Sequence, residues 1–167
     1  IALIRTNQPE LYSEIIRRYQ EKLTRYIRRF TASESLREDI LQEVFIKTYR
    51  NLRDFDVTRS FSSWIYRIAH NESINQCKKH QRESLVIDEW EWEVVDDRLD
   101  LGAHLDTQES IKIVQKALQL LKEKYRQPLL LYFFEDKSYE EISDILHIPR
   151  NTVGTLIARG KAQLKSL

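Results

Sequence analysis

The chain has few of the residues that make bends, cross-links and irregular loops. Its 167 residues include three Gly, three Pro, one Cys and no Met. Because Gly and Pro mark turns and end regular structure, their scarcity argues against a loop-rich β fold and favours a mostly helical chain. The single cysteine, Cys77, excludes an internal disulfide, and we expect a buried structural thiol in a reducing compartment.

Long apolar runs and patterns of metal ligands or catalytic groups are missing as well. No stretch approaches the roughly 20 apolar residues that cross a bilayer, and none has the pattern of a signal peptide. We therefore expect a cytoplasmic protein without membrane insertion. The four histidines show no ligand spacing with Cys77, so neither a metal nor a cofactor is expected. Without a Gly-rich phosphate loop or a Ser/His/Asp set, we expect no catalytic residues and no enzyme activity.

Charge is abundant but unevenly distributed. The formal net charge is only +1, yet residues 59–82 carry five cations against one acid, and residues 88–100 carry seven acids against one arginine. These local differences in charge say more about the organisation of the chain than its net charge does. We interpret residues 83–106 as a flexible acidic linker, because dense charge of one sign opposes compact packing. Trp90 and Trp92 are unusual there, and we expect them to dock on a domain or on a partner.

An all-α fold with two small helical domains, residues 1–82 and 107–167, is predicted on either side of this linker. In the first domain, apolar residues recur at helical spacing over about 9–30, 34–52 and 60–82. In the second, the spacing predicts a helix over 108–124 and a short, very apolar helix over 129–134. Pro128 is expected to open that short helix, since proline suits the first helical position.

The stretch from Ser60 to Arg82 combines an apolar stripe with a cationic surface. We expect Ser60 to cap the helix, because its hydroxyl can accept a hydrogen bond from a first-turn amide. The residues predicted to face the hydrophobic core are Phe61, Ile65, Ile68, Ile74 and Cys77. Those predicted to lie outside it are Arg67, Asn71, Gln76, Lys78, Lys79 and Arg82, with Trp64 and Tyr66 as aromatic surface.

Cations, amides and aromatic rings on one helix are the groups that hold a phosphate backbone and unstacked bases. Two structural explanations compete with this interpretation. Trp64 has core spacing relative to Phe61 and Ile68, and lysines near a helix C-terminus complement its dipole without any ligand. Both roles stay open for Trp64.

The helix predicted over residues 34–52 has an apolar stripe wider than one neighbour would cover. The main stripe contains Leu36, Ile40, Val44 and Leu52, and a second set contains Leu41, Phe45 and Ile46. Polar residues lie beside both sets: Asp39, Gln42, Glu43 and Lys47. Such a face is either ordinary core beside solvent or a docking surface for another protein, and the pattern leaves both open.

The most specific pattern is a helix-turn-helix near the C-terminus. Ser138 and Glu141 are spaced as a capping box, and the first helix ends at residues 147–149. The second helix begins near Pro149, and its polar side carries Arg150, Asn151, Thr152, Thr155, Arg159 and Lys161. In a helix-turn-helix such residues read base edges and hold phosphates in the major groove. An αα-hairpin that binds no DNA is the alternative.

Three motifs in this order resemble those of the bacterial sigma-70 family, in its small extracytoplasmic-function (ECF) group. DILQEVFIKTYRNL (39–52) is similar to region 2.2, FSSWIYRIAHNESINQCKK (61–79) to regions 2.3 and 2.4, and SYEEISDILHIPRNTVGTLIARGKAQL (138–164) to region 4.2. The resemblance spans nearly the whole chain. It implies an alternative sigma factor that directs promoter-specific initiation by binding core RNA polymerase and the −10 and −35 elements.

The resemblance also implies three interfaces and a regulatory partner. Docking on the clamp helices of the polymerase β′ subunit would use Asp39, Gln42, Glu43 and Phe45. Opening of the −10 element, with capture of flipped non-template bases, would use Ser60, Phe61, Trp64, Arg67, Asn71, Asn75, Lys78 and Lys79. Reading of the −35 duplex would use the six polar residues of the helix-turn-helix, beside a contact to the β flap. An anti-sigma factor would cover the polymerase-facing surfaces.

The chain departs from the family pattern in the helix-turn-helix. Basic residues are usual at the position of Gly154 and frequent at that of Leu156, and His147 replaces the usual turn glycine. Gly154 and Gly160 each cost about 1 kcal/mol of helix propensity relative to Ala. Either the −35 preference is unusual or this helix becomes stable only on DNA, and we expect the former to matter more. Two other classes stay open: a helix-turn-helix regulator that binds duplex DNA alone as a dimer, and a sigma mimic that occupies the polymerase as a decoy.

Overall fold

The computed structural model describes residues 12–83, 117–118 and 120–166, which form helices and turns and contain no strand. The predicted all-α class is confirmed. The chain divides into two compact units, Ile1–Glu93 and Val94–Leu167. Almost all of the predicted linker, including Trp90 and Trp92, lies outside the described residues. Among the described helices, none has both the length and the hydropathy that a bilayer-spanning helix needs.

The described part of the first unit is built from three long helices. They are α1 (Tyr12–Ile27), α2 (Glu34–Asn51) and α3 (Phe61–Glu83), and a 3-10 turn (Leu52–Asp54) follows α2. α1 contacts both α2 and α3, which also pack on each other. Completely buried side chains lie where the three helices meet: Leu23, Tyr26, Ile27, Ile40, Val44, Ile65 and Ala69.

Serine caps determine where α2 and α3 begin. The Ser33 hydroxyl accepts a hydrogen bond from the Leu36 amide at 3.3 Å, and the Ser60 hydroxyl accepts one from the Ser63 amide at 3.2 Å. Each bond satisfies an amide that has no partner within the helix. The predicted cap at Ser60 is confirmed, and it fixes the first turn of α3.

The second unit contains α4 (Glu123–Phe134), α5 (Tyr139–Leu146) and α6 (Arg150–Leu164), each in contact with the other two. The prediction that Pro128 opens α4 is wrong. The helix begins at Glu123, and Pro128 lies in its second turn, where proline lacks the amide that would bond to the Lys124 carbonyl. Burial compensates for this loss, because Pro128 and the three leucines that follow it are all buried.

α5 begins at a capping box, and a tight turn held by local hydrogen bonds connects its other end to α6. The predicted capping box is present, with Ser138 and Glu141 bonded to each other's backbone amides. The residue that caps the C-terminus of α5 is His147, which has the left-handed φ of 56° that glycine adopts most easily. The Ser143 hydroxyl donates to the Ile148 carbonyl at 2.6 Å, and Pro149 caps α6. The predicted helix-turn-helix is confirmed as a structural unit.

Candidate nucleic-acid interfaces

One face of α3 carries six of the eight residues predicted to contact the −10 element. They recur at intervals of three or four positions, which places them on one side of the helix: Ser60, Trp64, Arg67, Asn71, Asn75 and Lys78. Trp64 and Arg67 are half-buried, and the other four are exposed. The far side of α3 is buried through Ile65, Ala69 and Cys77. The fold therefore presents a cationic and amide-bearing stripe to solvent.

The N-terminal end of this stripe is aromatic. The Trp64 ring lies 4.8 Å from that of Phe55 and 5.4 Å from that of Phe61, measured between centroids. Phe61 also packs edge-on against Phe55 and Tyr19. Trp64 and Phe61 are only half-buried, so each side chain packs against its aromatic neighbours and keeps part of its surface exposed. Trp64 therefore belongs partly to the core, and its role against unstacked bases stays a prediction.

Tyr66 does not belong to this aromatic surface, and the prediction that placed it there is wrong. Its side chain is 2% exposed, and its ring centroid lies 5.3 Å from that of Tyr26 on α1. Position 66 lies on the side of α3 that faces α1, so the ring is part of the hydrophobic core. Sequence spacing missed this because α1 is the neighbour that buries it.

The exposed side of α2 brings together three of the four residues predicted to dock on the polymerase. Asp39, Gln42 and Glu43 are neighbours on one face; the first two are exposed and Glu43 is half-buried. Phe45 lies beyond Gln42, half-buried, and its backbone carbonyl accepts the Tyr12 hydroxyl at 2.6 Å. Burial raises the pKa of Tyr12 to about 12, so the phenol remains protonated and can donate.

An ion pair that the sequence did not predict joins α2 to α3. Lys47 contacts the carboxylate of Glu72, whose other oxygen accepts a hydrogen bond from Gln76 at 2.8 Å. The Lys47 amino group also lies 3.8 Å from the Glu43 carboxylate. The bond to Glu72 is the main reason that the pKa of Lys47 is raised. The partners are 25 residues apart in the chain, so no local pattern connects them.

The six residues predicted to read the −35 element fall into two groups on α6. Four are exposed on the side opposite the buried Val153 and Ile157: Asn151, Thr152, Thr155 and Arg159. The Thr155 hydroxyl donates to the Asn151 carbonyl at 3.0 Å, within the helix. This outward face has amide, hydroxyl and guanidinium groups, which suit base edges and phosphates.

Arg150 and Lys161 lie on the flank of α6 and are engaged within the unit. Arg150 forms an exposed ion pair with Glu140 on α5. Lys161 places its amino group 4.8 Å from the ring centroid of Phe133 and 5.5 Å from that of Tyr132, both on α4. The structure therefore does not group these two cations with the four outward residues.

The two glycines of α6 have different surroundings. A Cβ added at Gly160 would lie 2.7 Å from Cδ1 of the completely buried Leu129 and 3.4 Å from Cβ of Tyr125. Gly160 therefore permits α4 and α6 to approach closely, which accounts for a residue that helix propensity disfavours. At Gly154 the nearest atom would be Cε2 of Tyr139 at 3.4 Å, an ordinary contact. No packing reason requires glycine there.

Titratable groups in the described part of the chain do not form a metal site. No cluster of three His, Cys, Asp or Glu side chains occurs over the described ranges. Cys77 is buried with its thiol 3.6 Å from the Phe30 carbonyl, and burial raises its pKa to about 11. The thiol is therefore protonated and structural, as the sequence predicts.

Comparison with known families identifies both units. Residues 15–83 match Sigma-70 region 2, and residues 111–164 match Sigma-70, region 4. The first match contains α2 and α3 with their exposed faces, and the second contains the helix-turn-helix.

Relatives and solved structures agree with these matches over the length of the chain. The ECF RNA polymerase sigma factor SigW of Bacillus subtilis is 32% identical over 174 residues, covering 99% of this chain and 92% of SigW. The ECF RNA polymerase sigma-E factor of Haemophilus influenzae is 27% identical, with coverage of 98% and 90%.

Two solved structures have the same fold. CnrH in complex with the cytosolic domain of CnrY gives a TM-score of 0.72 at 20% identity, covering 99% of this chain and 92% of CnrH. RpoE from Bartonella quintana, in complex with the anti-sigma factor NepR, gives 0.68 at 21% identity, with coverage of 93% and 94%. The family matches and the SigW relative show that the chain belongs to the ECF RNA polymerase sigma factors of the sigma-70 family.

Proposed function

We propose that this sigma factor joins core RNA polymerase to promoter DNA through three separate surfaces. The observation that carries the proposal is the stripe on α3, where cations and amides follow a half-buried aromatic end along one solvent-facing side. Unstacked bases need ring faces and hydrogen-bonding amides, and the adjoining phosphates need cations. A helix face with all three kinds of group suits the non-template strand of an opened −10 element.

In this proposal α2 is the helix that docks on the polymerase. Asp39 and Gln42 are exposed and Glu43 is partly so, while the apolar set beside them is only half-covered by the first unit: Leu41, Phe45 and Ile46. Acidic groups around uncovered apolar surface are suited to a partner with basic and apolar residues, as interfaces combine a buried apolar centre with a polar rim. We assign this face to the clamp helices of the β′ subunit.

In this proposal α6 is the helix that recognises the −35 duplex. Its four outward residues would enter the major groove, and Arg150 and Lys161 would approach phosphates at the edge of the contact. Arg150 would then exchange Glu140 for phosphate. The second unit would also contact the polymerase β flap. Because phosphate contacts release counterions, promoter binding by the holoenzyme should weaken steeply as salt rises.

The chain itself is a specificity factor rather than an enzyme, and the polymerase supplies the chemistry of RNA synthesis. We place its activity in the cytoplasm, where bacterial polymerase meets the chromosome. An anti-sigma factor is a further expected partner, in keeping with the complex of Bartonella RpoE with NepR. We keep residues 1–82 and 107–167 as the two functional domains, with 83–106 as the linker.

Run-off transcription with bacterial core polymerase tests the proposal. The protein is added or omitted over a library of promoter fragments, and transcripts are sequenced. Transcripts that appear only with the protein would establish the function, and their upstream sequences would give the −10 and −35 preferences. Polymerase binding without transcripts from the organism's own genomic fragments would favour a decoy. Absence of polymerase binding, with tight binding to duplex DNA alone, would favour an ordinary regulator.

A further inference from the structure

Glu72 is a buried carboxylate that none of the three predicted interfaces uses. Its side chain is 5% exposed, between α2 and α3. Both of its oxygens are occupied: one meets Lys47 of α2 and the other accepts from Gln76 of α3, at 2.8 Å. A charge removed from water in this way is costly unless it is paired and hydrogen-bonded. Glu72 therefore depends on Lys47, the partner that the other helix supplies.

The pair lies between the two surfaces assigned to different partners. On α2, Lys47 is one turn beyond Glu43 and reaches it at 3.8 Å. On α3, Glu72 and Gln76 directly follow Asn71 and Asn75, both exposed and both assigned to the −10 strand. The ion pair thus connects the docking helix to the DNA-binding helix, immediately behind two of the residues that would meet the bases.

The two buried hydroxyls that are next to this pair in sequence donate hydrogen bonds within their own helices. The Thr48 hydroxyl donates to the Val44 carbonyl at 2.7 Å, within α2. The Ser73 hydroxyl donates to the Ala69 carbonyl at 2.8 Å, within α3. Apolar contacts between the helices permit small sliding and rotation, whereas a charge-assisted hydrogen bond favours one distance and one direction.

We propose that Glu72, through Lys47 and Gln76, is a positioning residue that holds Asn71 and Asn75 at a fixed angle to the polymerase-docking face of α2. Promoter opening would then require the pair, while polymerase binding would not. The inference rests on the proposed function, since it assumes that α2 docks and that α3 captures the strand. It assigns a role in initiation to a side chain that reaches neither polymerase nor DNA.

The experiment uses the full chain in holoenzyme with saturating core polymerase. Opening is followed by stopped-flow fluorescence of 2-aminopurine in the non-template −10 strand, on a promoter that the wild type transcribes. Polymerase affinity is measured by fluorescence anisotropy, and helix content by circular dichroism. The variants are Glu72→Gln and the double change K47M/E72M, which removes both charges and so leaves no unpaired buried ion. Glu21→Gln, at an exposed carboxylate of α1, is the matched control.

Loss of a charge-assisted bond should slow opening about tenfold in Glu72→Gln and in the double variant. Polymerase affinity should stay within about twofold of the wild type, and Glu21→Gln should behave as wild type. Normal opening rates in the folded variants would overturn the inference, as would an equal loss of polymerase affinity. If Glu72→Gln does not fold, the double variant decides; if neither folds, the pair serves general stability and the inference is wrong. A wild type that opens no promoter would instead contradict the proposed function.

Discussion

The phenol of Tyr26 lies 2.9 Å from Nδ1 of His70, in the interior of the first unit. His70 is 7% exposed and Tyr26 is completely buried. The rings of Phe30 and Tyr66 complete the surroundings, the first edge-on to His70 at 5.8 Å and the second 5.3 Å from Tyr26. The imidazole is held neutral in this apolar site, because burial disfavours the imidazolium and lowers the pKa of His70 to about 4.

Stability of the first unit should therefore fall in mild acid. The unfolded chain takes up a proton on His70 near its ordinary pKa of 6.5, whereas the folded chain does so only near 4. Unfolding is thus favoured as pH decreases below 6.5. The contribution of neutral His70 to the free energy of unfolding is fully present above that value. We expect a loss of about 2 kcal/mol between pH 7.5 and pH 5 from this group. Urea unfolding at several pH values measures it.

His70→Phe is the variant that isolates this effect. It should have a lower stability at pH 7.5, because Tyr26 loses its partner, but a flatter dependence on pH between 5 and 7.5. The control is His80→Phe, at an exposed position of α3, which should keep the wild-type slope. An unchanged slope in His70→Phe would show that other groups cause the acid sensitivity.

Alanine at the two glycines of α6 should have opposite effects. At Gly160 the new methyl would lie 2.7 Å from Cδ1 and 3.2 Å from Cγ of Leu129, which is completely buried. We expect a loss of about 1–3 kcal/mol from overpacking. Gly154→Ala meets only Tyr139 at 3.4 Å and should gain up to about 1 kcal/mol of helix propensity. Thermal unfolding compares the two, and stabilisation by Gly160→Ala would contradict the packing argument.

These glycines also show what the sequence could and could not predict. Signals contained within one turn were reliable: the cap at Ser60 and the box of Ser138 and Glu141 both form. Gly160 was expected only to weaken its helix, because nothing in the local sequence shows that Leu129 lies against it. The start of α4 was misplaced for a similar reason, since burial of Pro128 and its neighbours outweighs the local preference of proline for the first turn.

The other features that the sequence did not predict are interactions between residues far apart in the chain. Tyr26 and His70 are 44 positions apart, and Lys47 and Glu72 are 25 apart. A helical pattern specifies which side of each helix is apolar, but it does not specify which residue of another helix lies opposite. The resemblance to sigma factors predicted the interface residues from their positions in the motifs. The buried polar pairs could be found only once the packing of the helices was known.

Two cations on α6 should differ in how much they contribute to stability. Lys161 lies above the rings of Phe133 and Tyr132, so Lys161→Ala should cost about 0.5–1 kcal/mol of stability, the usual contribution of an exposed cation–π contact. Arg159 is exposed on the outward face. Arg159→Ala should leave thermal unfolding unchanged, weaken binding of the holoenzyme to a selected promoter, and reduce the salt dependence by about one phosphate contact.

Arg159→Ala is the stability control for Lys161→Ala, whose promoter binding should also weaken because the proposal places Lys161 near a phosphate. Binding titrations at several salt concentrations and thermal melts are run on both proteins. Unchanged promoter affinity of Arg159→Ala at moderate salt would remove Arg159 from the −35 contacts. An unchanged melting temperature of Lys161→Ala would show that its position over the rings contributes nothing to the fold.

Substitutions on α2 and α3 should affect the two steps of initiation, polymerase binding and promoter opening, separately. Asn71 is exposed on the stripe of α3, and Asp39 is exposed on α2, so alanine at either position should change stability little. Asn71→Ala removes an amide assigned to an unstacked base and should slow promoter opening about tenfold, with polymerase affinity unchanged. Asp39→Ala should weaken polymerase binding instead, and opening should be normal once polymerase is saturating. Anisotropy with labelled sigma factor measures the first step, and 2-aminopurine in the −10 strand measures the second. Loss of both steps in Asn71→Ala, with normal helix content, would place Asn71 in the polymerase interface rather than against DNA.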